Sequence, residues 1–224
     1  FWLRYSDHAG PHLRVRFHGD PADLGGKVLP AMTGLAGDLI TNRLASGLSV
    51  EPYEQEIERY GGSPKAMTAA EQVFAADSRL ALAALTAVPS TGERIVVAAL
   101  SATTITQTLA GSDQTALAGR HVDRGTRQTM EELRPRTRAA ARTIPATLAN
   151  PPISALWDAR EQALTAYRRV LDPADQVRCA SSVIHLHVNR LLGETVPEPL
   201  IRALAIDLLY TRKATTATAQ RPAP

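Results

Sequence analysis

The chain has 224 residues, with 25 basic and 22 acidic side chains for a net charge of +3, and it is 44% hydrophobic but only 4% aromatic. That is enough chain to bury a core without disulfides or metals. Cys179 is the only cysteine, which excludes an intrachain disulfide and a cysteine-built metal site, and no apolar run approaches the roughly 18 residues of a spanning helix. With no charged leader before an apolar stretch, the expectation is a cytoplasmic protein. Phe1 is not an initiator methionine and already reads as strand, so N-terminal sequence is expected to be missing.

From Phe1 to Phe17 the pattern has period two, interrupted by turn chemistry between Asp7 and Pro11, and predicts a two-strand hairpin. Its second strand carries Leu13, Val15 and Phe17 on one face and His12, Arg14, Arg16 and His18 on the other. Pro21 to Gly37 reads as a helix weakened by Gly25 and Gly26, and Leu39 to Val50 as a second extended stretch. Helical spacing then dominates: Pro52–Tyr60, Ala66–Ala87, Glu93–Leu109, Thr126–Ile144, Ile153–Leu171, Pro173–Leu192 and Pro199–Arg212. Strands first and helices after predict an α+β fold, an N-terminal antiparallel sheet packed with a C-terminal bundle of helices. Residues 1–213 read as one domain, and 214–224, rich in Thr, Ala and Pro, as a disordered tail.

Three segments carry chemistry-bearing residues. In Gly10-Pro11-His12-Leu13-Arg14-Val15-Arg16-Phe17, two arginines on one strand face suit a carboxylate or a developing oxyanion, and equally suit a sheet face open to water. All but three basic residues are arginines, Lys27, Lys65 and Lys213 being the exceptions, and a guanidinium holds carboxylates in bidentate geometry. In Tyr53 to Gly62, helical spacing puts Glu56, Arg59 and Tyr60 on one face before Gly61 and Gly62 stop the helix. That is either part of a polar site or an exposed ion pair contributing a few tenths of a kcal/mol.

The third segment runs from Ser181 to Arg190. Val177, Ile184, Val188 and Leu191 form an apolar stripe, and Arg178, Ser182, His185 and Asn189 a polar edge beside it. His185 is placed to face a cleft and transfer a proton, or simply to be solvated. His185 and His187 diverge on a helix, which disfavours a shared metal site, and Cys179 reads as a small core residue. No phosphate loop, dinucleotide fingerprint, nucleophile elbow or HExxH pair is present, so no cofactor is expected. The basic residues are scattered rather than bunched, against direct nucleic-acid binding.

In combination, Phe1-Trp2-Leu3-Arg4-Tyr5, the GPHLRVRF strand, the ERYGG helix end, Glu71 to Ser78 and the HLHVNR segment from His185 resemble the thiopeptide-type bacteriocin biosynthesis family, stand-alone relatives of the C-terminal elimination domain of lantibiotic dehydratases. The stretch from Ser90 to Leu171 matches only as helix. The resemblance implies a lyase that removes glutamate from glutamylated Ser or Thr of a precursor peptide, leaving dehydroalanine or dehydrobutyrine. It also implies a separate partner that performs the glutamyl-tRNA-dependent glutamylation. Relatives on the same fold close the central ring of thiopeptides by a formal cycloaddition; they tend to lack the Arg and His set that this sequence keeps. A non-catalytic subunit that binds the precursor peptide is the remaining alternative, and a homodimer is a further expectation. Carried onto this chain, the catalytic set is Arg14, Arg16, Glu56, Arg59 and His185. Arg4, His12, Tyr60, Asn189 and Arg190 line the substrate side, the last two also orienting their helix.

Overall fold

The computed structural model describes residues 1–8, 10–88, 90–111, 113–118, 123–142 and 150–219, without the side chains of 114 and 212–219. The chain divides into two units, residues 1–14 with everything from Glu56 on, and Val15–Gln55.

The first unit holds the hairpin β1 (Trp2–Asp7) and β2 (Gly10–Val15), the only sheet among the described residues. It also holds the helices α3 (Pro64–Ala87), α4 (Thr91–Ala110), α5 (Arg124–Arg142), α6 (Pro151–Val170), α7 (Gln176–Leu192) and α8 (Glu198–Ala219). The antiparallel pair packs on the helical bundle, the α+β arrangement expected. α3 starts where Ser63 accepts from the Ala66 N–H with Pro64 in the first turn, and α4 where the Ser90 hydroxyl accepts from the Glu93 N–H and donates to the Glu93 carboxylate. α4 is buried almost all round from Ile95 to Thr103 and packs against α5, α6, α7 and α8. Its buried Thr103 and Thr106 hydroxyls are satisfied by donating to the carbonyls one turn back. Among the described residues no helix is long and apolar enough to cross a membrane.

The second unit begins with Asp20 capping α1 (Pro21–Asp23), continues through a π-helical turn (Leu24–Val28) that contains Gly25 and Gly26, and runs into α2 (Leu29–Thr41). The extended stretch expected from Leu39 is corrected here. α2 continues to Thr41, and Leu44 and Ala45 donate back to the Leu39 carbonyl with Arg43 at a left-handed φ of 59°, a helix-closing turn rather than a strand. The helix expected over Pro52–Tyr60 is a single 3₁₀ turn, Ile57–Tyr60, stopped by Gly61 at φ 110°. β2 ends at Val15, short of the Phe17 expected, and α8 runs to Ala219, past the Arg212 end read from periodicity and into the segment expected to be disordered. The end of that segment, and the helix expected over residues 143–144, lie outside the described residues.

On its otherwise apolar face α3 carries Asp77, which has no exposed surface. Its Oδ1 lies 2.7 Å from His187 Nδ1 and 3.5 Å from Arg160, and its Oδ2 accepts from Arg190 at 2.8 Å. Arg190 also donates to the Trp2 carbonyl at 2.8 Å, and Trp2 donates twice to Ser78, so the same cluster seats β1. Arg160 reaches Ser101 and Glu161, tying α6 to α4. Burial works to raise the Asp77 carboxyl, but His187, Arg190 and Arg160 outweigh it and hold the group well below the usual carboxylate range.

Asp77→Asn leaves Arg190 buried without its anion, Arg160 keeping Glu161, and should lower unfolding free energy by about 3–5 kcal/mol in denaturant titration. Because the folded carboxyl sits below its unfolded value of about 3.9, its contribution is complete above that pH and is lost as pH falls below it. The parent should therefore lose stability steeply below about pH 4, and Asp77→Asn less so. At Gly61, a Cβ would lie 2.5 Å from Leu171 Cδ2 and 2.9 Å from Ala66 Cβ, at a φ that side chains rarely adopt. Gly61→Ala should cost more than about 1 kcal/mol by the same titration.

Candidate active site

α7 buries one face and leaves the other half-open. Val183, Ile184, His187, Val188, Arg190 and Leu191 are buried, whereas Arg178 and His185 are exposed and Ser182 and Asn189 are in between. Residues 178, 182, 185 and 189 share an edge of three turns, about 16 Å long at 1.5 Å per residue. Glu56, Arg59, His185, Asn189 and Arg4, all expected in the site, lie along or against this edge.

At its N-terminal end, Arg178 Nη1 donates to the carbonyls of Glu58 and Arg59 at 2.7 and 2.6 Å, and Nη2 to Asp175. The 3₁₀ turn is thereby fastened to α7. On that turn Arg59 donates to Glu56 Oε2 at 2.9 Å, with the arginine 42% and the glutamate 59% exposed, so the expected pair forms but stays in water. Tyr60, expected beside them on the substrate side, is instead buried. It packs edge-on to Phe74 at 4.8 Å, its carbonyl accepts from the Tyr167 hydroxyl, and burial pushes its phenol up to about 12.

At the C-terminal end, the Asn189 amide pairs with the Arg4 backbone as a neighbouring strand would, accepting from its N–H and donating to its carbonyl, both at 2.9 Å. Arg4 Nε donates to the Arg190 carbonyl at 3.1 Å, its stem running beside Gly193 at φ 61°. Arg190, also expected on the substrate side, has no exposed surface and belongs to the Asp77 cluster. Between the two ends stands His185. Its Nδ1 lies 2.7 Å from Glu198 Oε2, and its side chain is 49% exposed.

The hairpin carries its own cluster. Arg14 lies 3.4 Å over the Tyr5 ring, donates to His12 Nε2 at 3.2 Å and approaches Asp7 at 3.8 Å. His12 Nδ1, 3.1 Å from the Gly10 carbonyl, is left as the donor. The polar face of β2 is thus partly covered by β1, and its apolar Leu13 and Val15 are the exposed side. Arg16, one residue beyond the strand, belongs to the second unit, where it lies 4.6 Å over the Tyr53 ring.

The sequence reading missed Asp77, Arg178, His187, Glu198 and Arg202 as organising residues. A signal existed for Asp77, a carboxylate on the apolar face of a helix, and for Glu198 with Arg202, an i, i+4 pair. Nothing in the spacing linked either to a histidine. His185 and His187 point apart, one exposed on Glu198 and one buried on Asp77. Cys179 is a buried free thiol whose ionisation burial disfavours. Among the described residues no group of three His, Cys, Asp or Glu is disposed to hold a metal.

Comparison with known proteins gives three findings. The subtilin biosynthesis protein SpaB of Bacillus subtilis is 40% identical over 80 residues, 36% of this chain and 8% of that protein. The crystal structure of the tRNA-dependent lantibiotic dehydratase MibB from Microbispora sp. 107891 superposes with a TM-score of 0.77 at 23% identity, over 96% of this chain and 25% of that one, a likeness of fold. The chain therefore spans a quarter or less of these relatives. The family model described as lantibiotic biosynthesis dehydratase C-term matches residues 1–209, and this chain belongs to that family.

Proposed function

We propose that this chain acts in lanthipeptide or thiopeptide biosynthesis as a lyase, eliminating glutamate from glutamylated Ser or Thr of a precursor peptide. The observation that supports it most is the open edge of α7. It carries an exposed histidine with one ring nitrogen held by a carboxylate, between a turn bearing Arg59 and a strand bearing Arg4.

The reaction breaks a Cα–H bond, forms Cα=Cβ and expels glutamate from Cβ as a carboxylate. It needs a base for the α-proton, cations for the enolate-like intermediate and cations for the departing carboxylate. In this reading His185 takes the proton at Nε2. Arg14, preset by Tyr5 and His12, binds the glutamyl group or the developing charge, and Arg59 with Glu56 completes the polar wall. Arg4 and His12 lie on the substrate side, with Asn189 holding the Arg4 backbone. Tyr60 and Arg190, being buried, act by supporting the turn and the helix.

The partners follow from the chemistry: a precursor peptide, and a separate protein that supplies the glutamyl ester. That MibB is described as tRNA-dependent fits such an ester donor. The test is mass spectrometry of a glutamylated precursor peptide incubated with this protein, a didehydro peptide serving as second substrate. Loss of one glutamate per modified residue is expected, and His185→Ala or Arg59→Ala should slow it on the order of 100-fold or more. An untouched glutamylated peptide beside a cyclised didehydro peptide would replace this reading with ring closure.

A further inference from the structure

His185 does not stand alone. Glu198 opens α8, 24% exposed, between Pro197 and Pro199, whose rings fix φ on either side of it. Its Oε2 meets His185 Nδ1 at 2.7 Å, and its Oε1 accepts from Arg202 Nε at 2.7 Å. Arg202, 7% exposed, donates in turn to the Ala116 carbonyl at 2.7 Å and to the Ser181 carbonyl at 3.0 Å. Ser181 precedes His185 on α7 by one turn. α8 therefore grips α7 at two successive turns, through a neutral carbonyl at 181 and through the imidazole at 185.

We propose that Glu198, braced by Arg202, is the positioning residue for His185, dictating that its proton is exchanged at Nε2. This rests on the elimination reading for the reaction, but not for the ring geometry. An ionised carboxylate only accepts, so the Nδ1 facing it must carry hydrogen, and the neutral ring presents its lone pair from Nε2. Burial works against the Glu198 charge, but His185 and Arg202 outweigh it and hold the carboxyl below its usual range. The same carboxylate stabilises the imidazolium formed when Nε2 takes the α-proton, the logic by which an acid orients a histidine base in hydrolytic triads. His185 is half-exposed and would otherwise turn about χ1 and χ2. Pinning it removes that freedom before substrate arrives.

The experiment is ¹⁵N-histidine NMR on the whole chain, with the His185 signals identified by their loss in His185→Asn, alongside single-turnover and steady-state elimination of a glutamylated peptide. In the parent the neutral ring should be the Nδ1–H form. In Glu198→Ala it should revert largely to the Nε2–H form that free histidine prefers, kcat should fall roughly 100-fold and KM should change by no more than about twofold. Glu198→Asp, which restores the charge, should regain part of both, and an unchanged thermal midpoint in Glu198→Gln separates positioning from folding. An Nε2–H ring in the parent would overturn the proposal, as would a Glu198→Ala protein with the parent's tautomer and kcat. A tautomer switch in a chain that leaves every glutamylated peptide intact would sustain the positioning role and sink the elimination reading instead.

Discussion

A carboxylate cut off from water remains ionised only if cations and hydrogen-bond donors meet it in the interior, and at Asp77 two arginines and a histidine from two helices do so. Such a cluster tolerates little rearrangement, because moving any one helix leaves an uncompensated charge behind. It fixes the rotation of α7 about its axis: with His187 and Arg190 turned inward to Asp77, residues 178, 182, 185 and 189 must turn outward. Through the Trp2 carbonyl it also fixes where β1 crosses the bundle. The exposure of His185 and the seating of Arg4 are both consequences of a charge that neither residue touches.

α7 is thus a beam with a buried face and an open face. Along the open face its polar residues hold neighbours by backbone atoms more than by side chains: Arg178 takes two carbonyls of the 3₁₀ turn, and Asn189 takes both backbone groups of Arg4. Backbone contacts of this kind set position, while the Arg59 side chain pairs with Glu56 and Arg4 Nε donates to the Arg190 carbonyl. Arg14 and Arg16 are held differently, each within its own unit. Arg14 lies over the Tyr5 ring with its Nε donating to His12, and Arg16 lies over the Tyr53 ring, each guanidinium held by its face.

Much of the fold was legible because its cues are local. The period-two run at the N-terminus is the hairpin, the helices read over Ala66–Ala87 and Glu93–Leu109 are α3 and α4, and Ile184, Val188 and Leu191 of the apolar stripe of α7 are buried. The errors were local too. The stretch from Leu39 read as extended, where backbone hydrogen bonds returning to the Leu39 carbonyl close a helix. Glu56, Arg59 and Tyr60 looked like one helical face, but a 3₁₀ turn has three residues per turn, and Tyr60 goes into the core while the ion pair stays outside.

The sequence by itself determined the fold class, the family, the position of most helices and the polar edge on which His185 lies, since each depends on residue spacing within one element or on motifs read along the chain. Only the tertiary structure decided which histidine is buried and which is open, that Tyr60 and Arg190 support rather than line the site, and that Glu198 and Arg202 stand behind His185. Those outcomes depend on partners 13 residues from His185 and 110 from His187. Periodicity places a side chain on a face of its own helix, but the helix that meets that face is chosen by packing and by the need to neutralise buried charge.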